Sequence, residues 1–131
     1  MSYQYWNPNP IRNDHAGDCA VRAVAKALDL TWEEAYVKLA LNGFLMGEIM
    51  NADLVSGSVL REAGFNREVI PNTCPNCYTV KDFCEEHPQG VFVLKSNNHL
   101  ATVVDGTLFD SWDSSMNVPE YFWYLPEDKK G

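Results

Sequence analysis

The sequence has few basic residues and no long apolar run. Its 131 residues contain 10 lysines and arginines against 18 aspartates and glutamates, so the formal net charge is −8. Because this charge repels a phosphate backbone, we expect no binding to nucleic acid. No apolar run approaches the roughly 20 residues that a membrane span requires, so we expect no insertion into a membrane.

The first residues also lack the marks of a signal peptide. Residues 1–8 have neither a basic start nor an apolar core, so we expect a cytoplasmic, reducing location. In that location four cysteines are more often catalytic, metal-binding or buried than disulfide-bonded. Hydrophobic residues make up 46% of the chain, which is an ordinary globular composition, and the length predicts a single domain over residues 1–131.

The hydrophobic pattern changes from helical to strand-like along the chain. Apolar spacing and capping residues predict helices at 19–28, 32–42, 52–63 and 80–87. Runs of β-branched and aromatic residues predict strands at 66–70, 90–95, 99–104, 107–112 and 121–125. Residues 1–17 are predicted to be irregular because of Pro8 and Pro10, and to pack on the body because of Tyr3, Tyr5 and Trp6. Helices followed by an antiparallel meander indicate an α+β fold.

Cys19 begins the most strongly apolar of the predicted helices. Arg22, Lys26 and Asp29 form its only polar stripe, so we expect this helix to be central and buried. Asp18 is the predicted N-cap. The unpaired N–H groups and partial positive charge of a helix N-terminus stabilise a thiolate and can bind an oxyanion. Cys19 is therefore a candidate nucleophile, and the alternative is a small residue packed in the core.

His99 and Asp110 are brought together by a predicted hairpin. Asp105-Gly106 favours a two-residue type I′ turn, in which Val104 pairs with Thr107. In this register His99 and Asp110 are diagonal neighbours on one face of the sheet. A carboxylate in that position can hold one imidazole nitrogen and leave the other free for a thiol.

The order Cys19, His99, Asp110 resembles that of the papain-like cysteine peptidases. The resemblance rests on Gly17-Asp18-Cys19-Ala20-Val21-Arg22-Ala23 and Asp110-Ser111-Trp112-Asp113-Ser114, and it covers nearly the whole chain. It is closest to compact bacterial and phage members, such as the bacteriocin-leader peptidase domains. It implies N-terminal helices, with a central Cys-bearing helix packed on a C-terminal antiparallel sheet. It also implies a catalytic triad, a peptide or protein substrate and no cofactor.

The resemblance further implies a side-chain amide that binds the oxyanion. Papain-like enzymes usually carry Gln six residues before the catalytic cysteine, and Asn13 stands at that position here. The backbone N–H of Cys19 would be the second donor, and the alternative role of Asn13 is that of a turn residue. His15 lies close to Cys19 in sequence, but we expect it to be exposed and not to act as the base.

A second motif favours a different kind of protein. Cys74, Cys77, Cys84 and His87 have the spacing C-x2-C-x6-C-x2-H, which can supply a tetrahedral zinc site. The protein would then be a non-enzymatic zinc-knuckle module in which Cys19 only packs. Alternatively, Cys84 lies in the core, while Cys74 and Cys77 form a solvent-facing turn or a reversible disulfide.

The predicted function is that of a thiol peptidase, or a related hydrolase, that cleaves a peptide, isopeptide or similar acyl bond. The same triad also serves transglutaminases and acyltransferases, in which an amine replaces water as the acceptor. The sequence does not separate these activities, because the shape of the cleft selects the acceptor. It does not predict an oligomeric state.

Overall fold

The computed structural model describes residues 2–14 and 16–126, which contain four helices and six strands. The helices are α1 (Cys19–Leu28), α2 (Trp32–Met46), α3 (Asp53–Glu62) and α4 (Val80–Glu86). The strands are β1 (Ser2–Tyr5), β2 (Asn66–Val69), β3 (Val91–Ser96), β4 (His99–Val104), β5 (Thr107–Asp110) and β6 (Tyr121–Tyr124). The predicted α+β class is confirmed. Within the described residues, no helix is both long enough and apolar enough to cross a membrane.

The six strands form one mixed sheet in the order β1-β5-β4-β3-β6-β2. All pairs are antiparallel except β1 with β5, which are parallel. The prediction of an irregular segment over residues 1–17 is therefore wrong for residues 2–5, and the sheet is not purely antiparallel. The prolines begin only at Pro8, so the residues before Trp6 are free to extend. They pair with the outer edge of β5 and so satisfy its backbone hydrogen-bonding groups. The Trp6 N–H extends this pairing, because it donates to the Asp110 carbonyl at 2.8 Å.

Helix α2 continues four residues beyond its predicted end. We expected the helix to end before Gly43, but Gly43 is buried inside it. The chain turns back closely at this point, since a Cβ atom on Gly43 would lie 2.8 Å from the Glu48 carbonyl oxygen. Gly47, with a φ of 70°, ends the helix in the left-handed conformation. The glycine at position 43 is therefore explained by the close approach of the Glu48 backbone to the helix, and not by the end of the helix.

Helices cover both faces of the sheet. Helices α1, α2 and α3 share one hydrophobic core with Val93 of β3 and Leu100 of β4. Helix α4 packs on the opposite face, where it meets Leu94 and Ala101. Neighbouring residues of a strand point to opposite faces, which explains why these pairs divide between two cores. The apolar helix α1 is buried against β4, as its sequence predicts.

Two tight turns and one buried hydrogen bond position the ends of β4. Asn97, Asn98, Asp105 and Gly106 all have positive φ angles, as type I′ turns require. The predicted register of the second hairpin is confirmed, because Val104 pairs with Thr107. The Thr102 hydroxyl donates to the Ala23 carbonyl at 2.7 Å and so ties β4 to α1. This contact holds the start of α1 beside the start of β4.

Candidate active site

His99 and Asp110 are in direct contact. His99 begins β4 and Asp110 ends the neighbouring β5. The His99 Nε2 atom lies 2.7 Å from a carboxylate oxygen of Asp110, as the predicted hairpin register requires. Because Nε2 is engaged, Nδ1 is the ring nitrogen that remains for another partner.

Asp110 is buried and surrounded by donors. The Ser114 hydroxyl donates to its Oδ2 at 2.6 Å, and the Ser111 N–H donates to its Oδ1 at 2.7 Å. Burial alone would raise the pKa of this carboxyl, but the hydrogen bonds from His99 and Ser114 outweigh burial and lower it. Asp110 is therefore a fixed negative charge that orients the imidazole of His99.

Cys19 completes a chain of three groups. It is the first residue of α1, it is partly buried, and it lines the same cleft as His99. Burial opposes the thiolate, but the interactions with His99 and with the Leu100 backbone lower the pKa of Cys19 below its ordinary value. Burial also opposes the charged imidazole, yet the bonds to Asp110 and Cys19 raise the pKa of His99 to about 9. Each shift therefore stabilises the charged form of its group, the thiolate of Cys19 and the imidazolium of His99.

Asp18 occupies the N-cap position of α1, as predicted, but its carboxylate does not act as the cap. The side chain makes no hydrogen bond to the first turn of the helix. The carboxylate instead accepts from Trp32 Nε1 at 2.8 Å and from Asn9 Nδ2 at 3.1 Å, and it is paired with Arg22. These three donors satisfy the partly buried carboxylate. They leave the first-turn N–H groups of α1 unoccupied by the Asp18 side chain, and such groups can bind an anion.

Arg22, which the sequence placed only in a polar stripe of α1, forms two ion pairs beside the cleft. It is buried, and its guanidinium lies between Asp18 and Asp110, with Nη2 3.4 Å from Asp110 Oδ1. The spacing of four residues from Asp18 is a signal for the first of these ion pairs. No local pattern indicates the second pair, because Asp110 is 88 residues away.

The structure does not bring Asn13 into the cleft with the other three predicted residues. Asn13 is exposed and is not part of the wall around Cys19. Asn9, which sequence reasoning overlooked, lines the cleft instead. Its Oδ1 accepts from the N–H groups of Ile11 and Arg12, each at 3.0 Å, and these bonds close a turn at residues 9–12. His15 lies outside the described residues.

The candidate nucleophile opens onto a cleft of about 790 Å³. The cleft is lined by residues of the segments 9–12 and 16–18, by the start of α1, and by residues of α2 and of the segment 49–53. The Trp112 ring lies 4.9 Å from the His99 ring and partly covers the imidazole. The lining combines apolar side chains, such as Ile49 and Met50, with polar and charged ones, such as Asp53 and Lys95. A cleft of this kind can hold a chain or small molecule with one reactive group at the cysteine.

The other three cysteines and His87 do not form the zinc site that their spacing left open as an alternative. Cys74 and Cys77 are joined by a disulfide, which was one of the alternatives. Cys84 is buried in the core around α4, and His87 Nδ1 lies 2.8 Å from the Phe83 carbonyl oxygen. Among the described residues, no group of three or more His, Cys, Asp or Glu could hold a metal ion.

Comparisons with known proteins add no relative. No family model, no curated protein and no solved structure matches the chain. The chemical interpretation therefore depends on the contacts around Cys19, and on the resemblance of the residue order to the papain-like peptidases.

Proposed function

We propose that the protein is a papain-like cysteine hydrolase that cleaves a peptide, isopeptide or similar acyl bond. One observation carries this proposal. His99 is hydrogen-bonded to Asp110, and it lines the same cleft as the Cys19 thiol, whose pKa it lowers. A nucleophile, a base and a group that orients the base are the parts required for catalysis through an acyl-enzyme.

The proposed reaction has two halves. The Cys19 thiolate attacks the carbonyl carbon, and the tetrahedral intermediate collapses as the carbon–nitrogen bond breaks. The His99 imidazolium gives its proton to the departing amine, which leaves a thioester on Cys19. Neutral His99 then takes a proton from water, and the hydroxide attacks the thioester and releases the acid. Asp110 keeps the imidazole oriented and stabilises its charged form in both halves.

Two donors are proposed for the oxyanion. The first is the N–H of Cys19, which lies in the first turn of α1, where amides have no acceptor within the helix. The second is the side-chain amide of Asn9. Its orientation is fixed by three hydrogen bonds, and Nδ2 carries a second hydrogen besides the one that it gives to Asp18. Asn9 thus takes the role that the family resemblance implied for Asn13.

The proposal is tested by the reactivity of Cys19 in the native protein. With limiting iodoacetamide at neutral pH, we expect Cys19 to be alkylated at least about tenfold faster than Cys84, because only its thiolate is stabilised. Peptide mapping by mass spectrometry identifies the adducts. Alkylation of Cys19 only after denaturation would contradict the proposal.

Turnover is tested separately from reactivity. The native protein is incubated with a mixed peptide library, and new termini are read by mass spectrometry. Products should be absent with Cys19→Ala and present with Cys84→Ala, which is the matched control. The same incubation with added methylamine distinguishes hydrolysis from acyl transfer, since a transferase would release amides in place of acids.

A further inference from the structure

One side chain connects the two ends of the candidate active site. The Arg22 guanidinium is paired through Nη1 with Asp18, and its Nη2 lies 3.4 Å from Asp110 Oδ1. The Asp18 carboxylate also accepts from Asn9, the proposed oxyanion donor. The Asp110 carboxylate holds the ring of His99. One guanidinium therefore lies between the group that would bind the oxyanion and the group that would act as the base.

Folding stability does not account for an arginine at this position of α1. The other buried residues of the helix are alanine and valine, so an apolar side chain would fit its pattern. Burial of a guanidinium with its carboxylates costs desolvation free energy that the ion pairs often do not recover. The Arg22 Nε atom is also buried and has no hydrogen-bond partner among the described residues, which adds to the cost. This expense points to a role in the chemistry of the site.

The charges of the reactive site require a second cation. Asp18, Asp110 and the thiolate of Cys19 are three negative charges, whereas the imidazolium of His99 is one positive charge. The Asp18 side chain is 10% exposed and that of Asp110 is 2% exposed, so water screens their charges weakly. Arg22 supplies the second positive charge, and its field also helps to lower the pKa of Cys19. A guanidinium keeps this charge throughout the neutral pH range.

Only a guanidinium can hold both carboxylates at once. Its nitrogen atoms form a rigid planar fork, so Nη1 and Nη2 engage two separate acceptors in a fixed relative position. The ammonium of a lysine is a single point charge on a flexible stem, and it could hold one of the two carboxylates but not both in the same geometry. The bridge between Asp18 and Asp110 therefore depends on the shape of the Arg22 side chain as well as on its charge.

We propose that Arg22 is a positioning residue of the proposed hydrolase, the function on which this inference rests. Through Asp18, Arg22 fixes the amide of Asn9. Through Asp110, it fixes the ring of His99. The oxyanion donor and the base come from distant segments of the chain, so their relative position depends on a link of this kind. A displacement of about 1 Å in such a group can cost about 10²-fold in rate.

Two reagents that attack the same thiol test the role of Arg22. With p-nitrophenyl acetate, the thiolate of Cys19 adds to the ester carbonyl through an oxyanion, p-nitrophenolate leaves, and an acetyl thioester remains. Iodoacetamide alkylates the same thiolate without an oxyanion. Both rates are measured on the full chain, with Cys19→Ala as the blank. The ratio of the two rates reports on the oxyanion donors separately from the thiolate.

Substitutions of Arg22 separate its shape from its charge. Arg22→Lys keeps the charge, so we expect acylation to slow at least about tenfold while the pH midpoint of alkylation stays unchanged. Arg22→Met should slow acylation at least as much. It should also raise the alkylation midpoint by roughly half a pH unit, because a charge that favours the thiolate is lost. Lys26→Met removes a positive charge one turn further along α1 and is the matched control, in which both rates should be unchanged.

Asp18→Asn tests the same link from its other end and serves if a variant of Arg22 does not fold, as judged by circular dichroism. It should slow acylation about as much as Asn9→Ala does. The double variant should lose little more, because both substitutions act through one donor.

The outcomes separate this inference from the proposed function. Full acylation in Arg22→Lys, an equal loss of acylation and alkylation in that variant, or additive losses in Asn9→Ala with Asp18→Asn would overturn the positioning role and leave the hydrolase function standing. If neither reagent modifies Cys19 in the wild-type protein, the hydrolase function is refuted, and the role of Arg22 falls with it.

Discussion

Two cysteines of this protein each have a histidine close by, yet their surroundings differ in every respect that governs thiol reactivity. Cys19 begins α1, opens onto the cleft and has its pKa lowered by His99. Cys84 lies inside α4, is 2% exposed and has its pKa raised to about 11 by burial. The nearby His87 is stacked on Phe83, with ring centroids 3.8 Å apart.

The difference between the two sites shows what a reactive cysteine requires. Proximity of Cys and His in sequence is not sufficient, since Cys84 and His87 are only three residues apart. His99 comes from a distant strand, and the buried carboxylate of Asp110 stabilises its charged form. The helix start and the carboxylate, and not the histidine alone, separate a nucleophile from a packing residue.

Replacement of the two histidines is the strongest test of this comparison. We expect His99→Ala to slow turnover by about 10²–10⁴-fold, because both the base and the counter-ion of the thiolate are lost. Alkylation of Cys19 at pH 6–7 should fall in parallel. His87→Ala should leave both rates unchanged and cost about 1 kcal/mol of unfolding free energy, measured by urea denaturation, through its lost stacking and hydrogen bond. Equal losses of activity in the two variants would remove the distinction.

The amide donors allow a second, smaller test. Asn9→Ala should lower kcat by about 10²–10³-fold, which is the usual loss for one oxyanion donor. Alkylation of Cys19 should persist, because it passes through no oxyanion. Asn13→Ala is the matched control and should retain full activity, since its side chain is exposed. A large loss in Asn13→Ala with full activity in Asn9→Ala would return the role to Asn13.

The pH dependence gives the mildest test. The pKa of His99 is raised to about 9, so the imidazolium needed by the leaving group persists through neutral pH and is lost above that value. The pKa of Cys19 is lowered, so its thiolate forms at a lower pH than in an ordinary thiol. We expect kcat/KM to fall about tenfold per pH unit above pH 9, and alkylation to begin below the range of free cysteine. A midpoint for Cys19 alkylation at or above that of free cysteine would contradict the ion pair.

Local rules predicted a large part of the fold. The start of α1, the capping box of α2 and the β4–β5 register depend on residues within a few positions of one another, such as Thr31 with Glu34. Strand β1 escaped prediction because its partner is more than 100 residues away and nothing within the strand indicates the pairing. The role of the Asp18 side chain was predicted wrongly because its donors, Trp32 and Asn9, lie outside the helix turn that the capping rule considers.

The sequence by itself determined that Cys19 stands at a helix start and that His99 and Asp110 share a strand face, because apolar spacing and turn chemistry act between near neighbours. Only the tertiary structure decided that these two elements meet. Their contact depends on burial of α1 against β4 and on the Thr102–Ala23 hydrogen bond, which joins residues 79 positions apart. It also decided that Asn9, and not Asn13, lines the cleft, where hydrogen bonds to Asp18 and to the backbone of Ile11 and Arg12 hold the Asn9 side chain. Long-range packing has no local signature, so its consequences for the site become visible only in the folded chain.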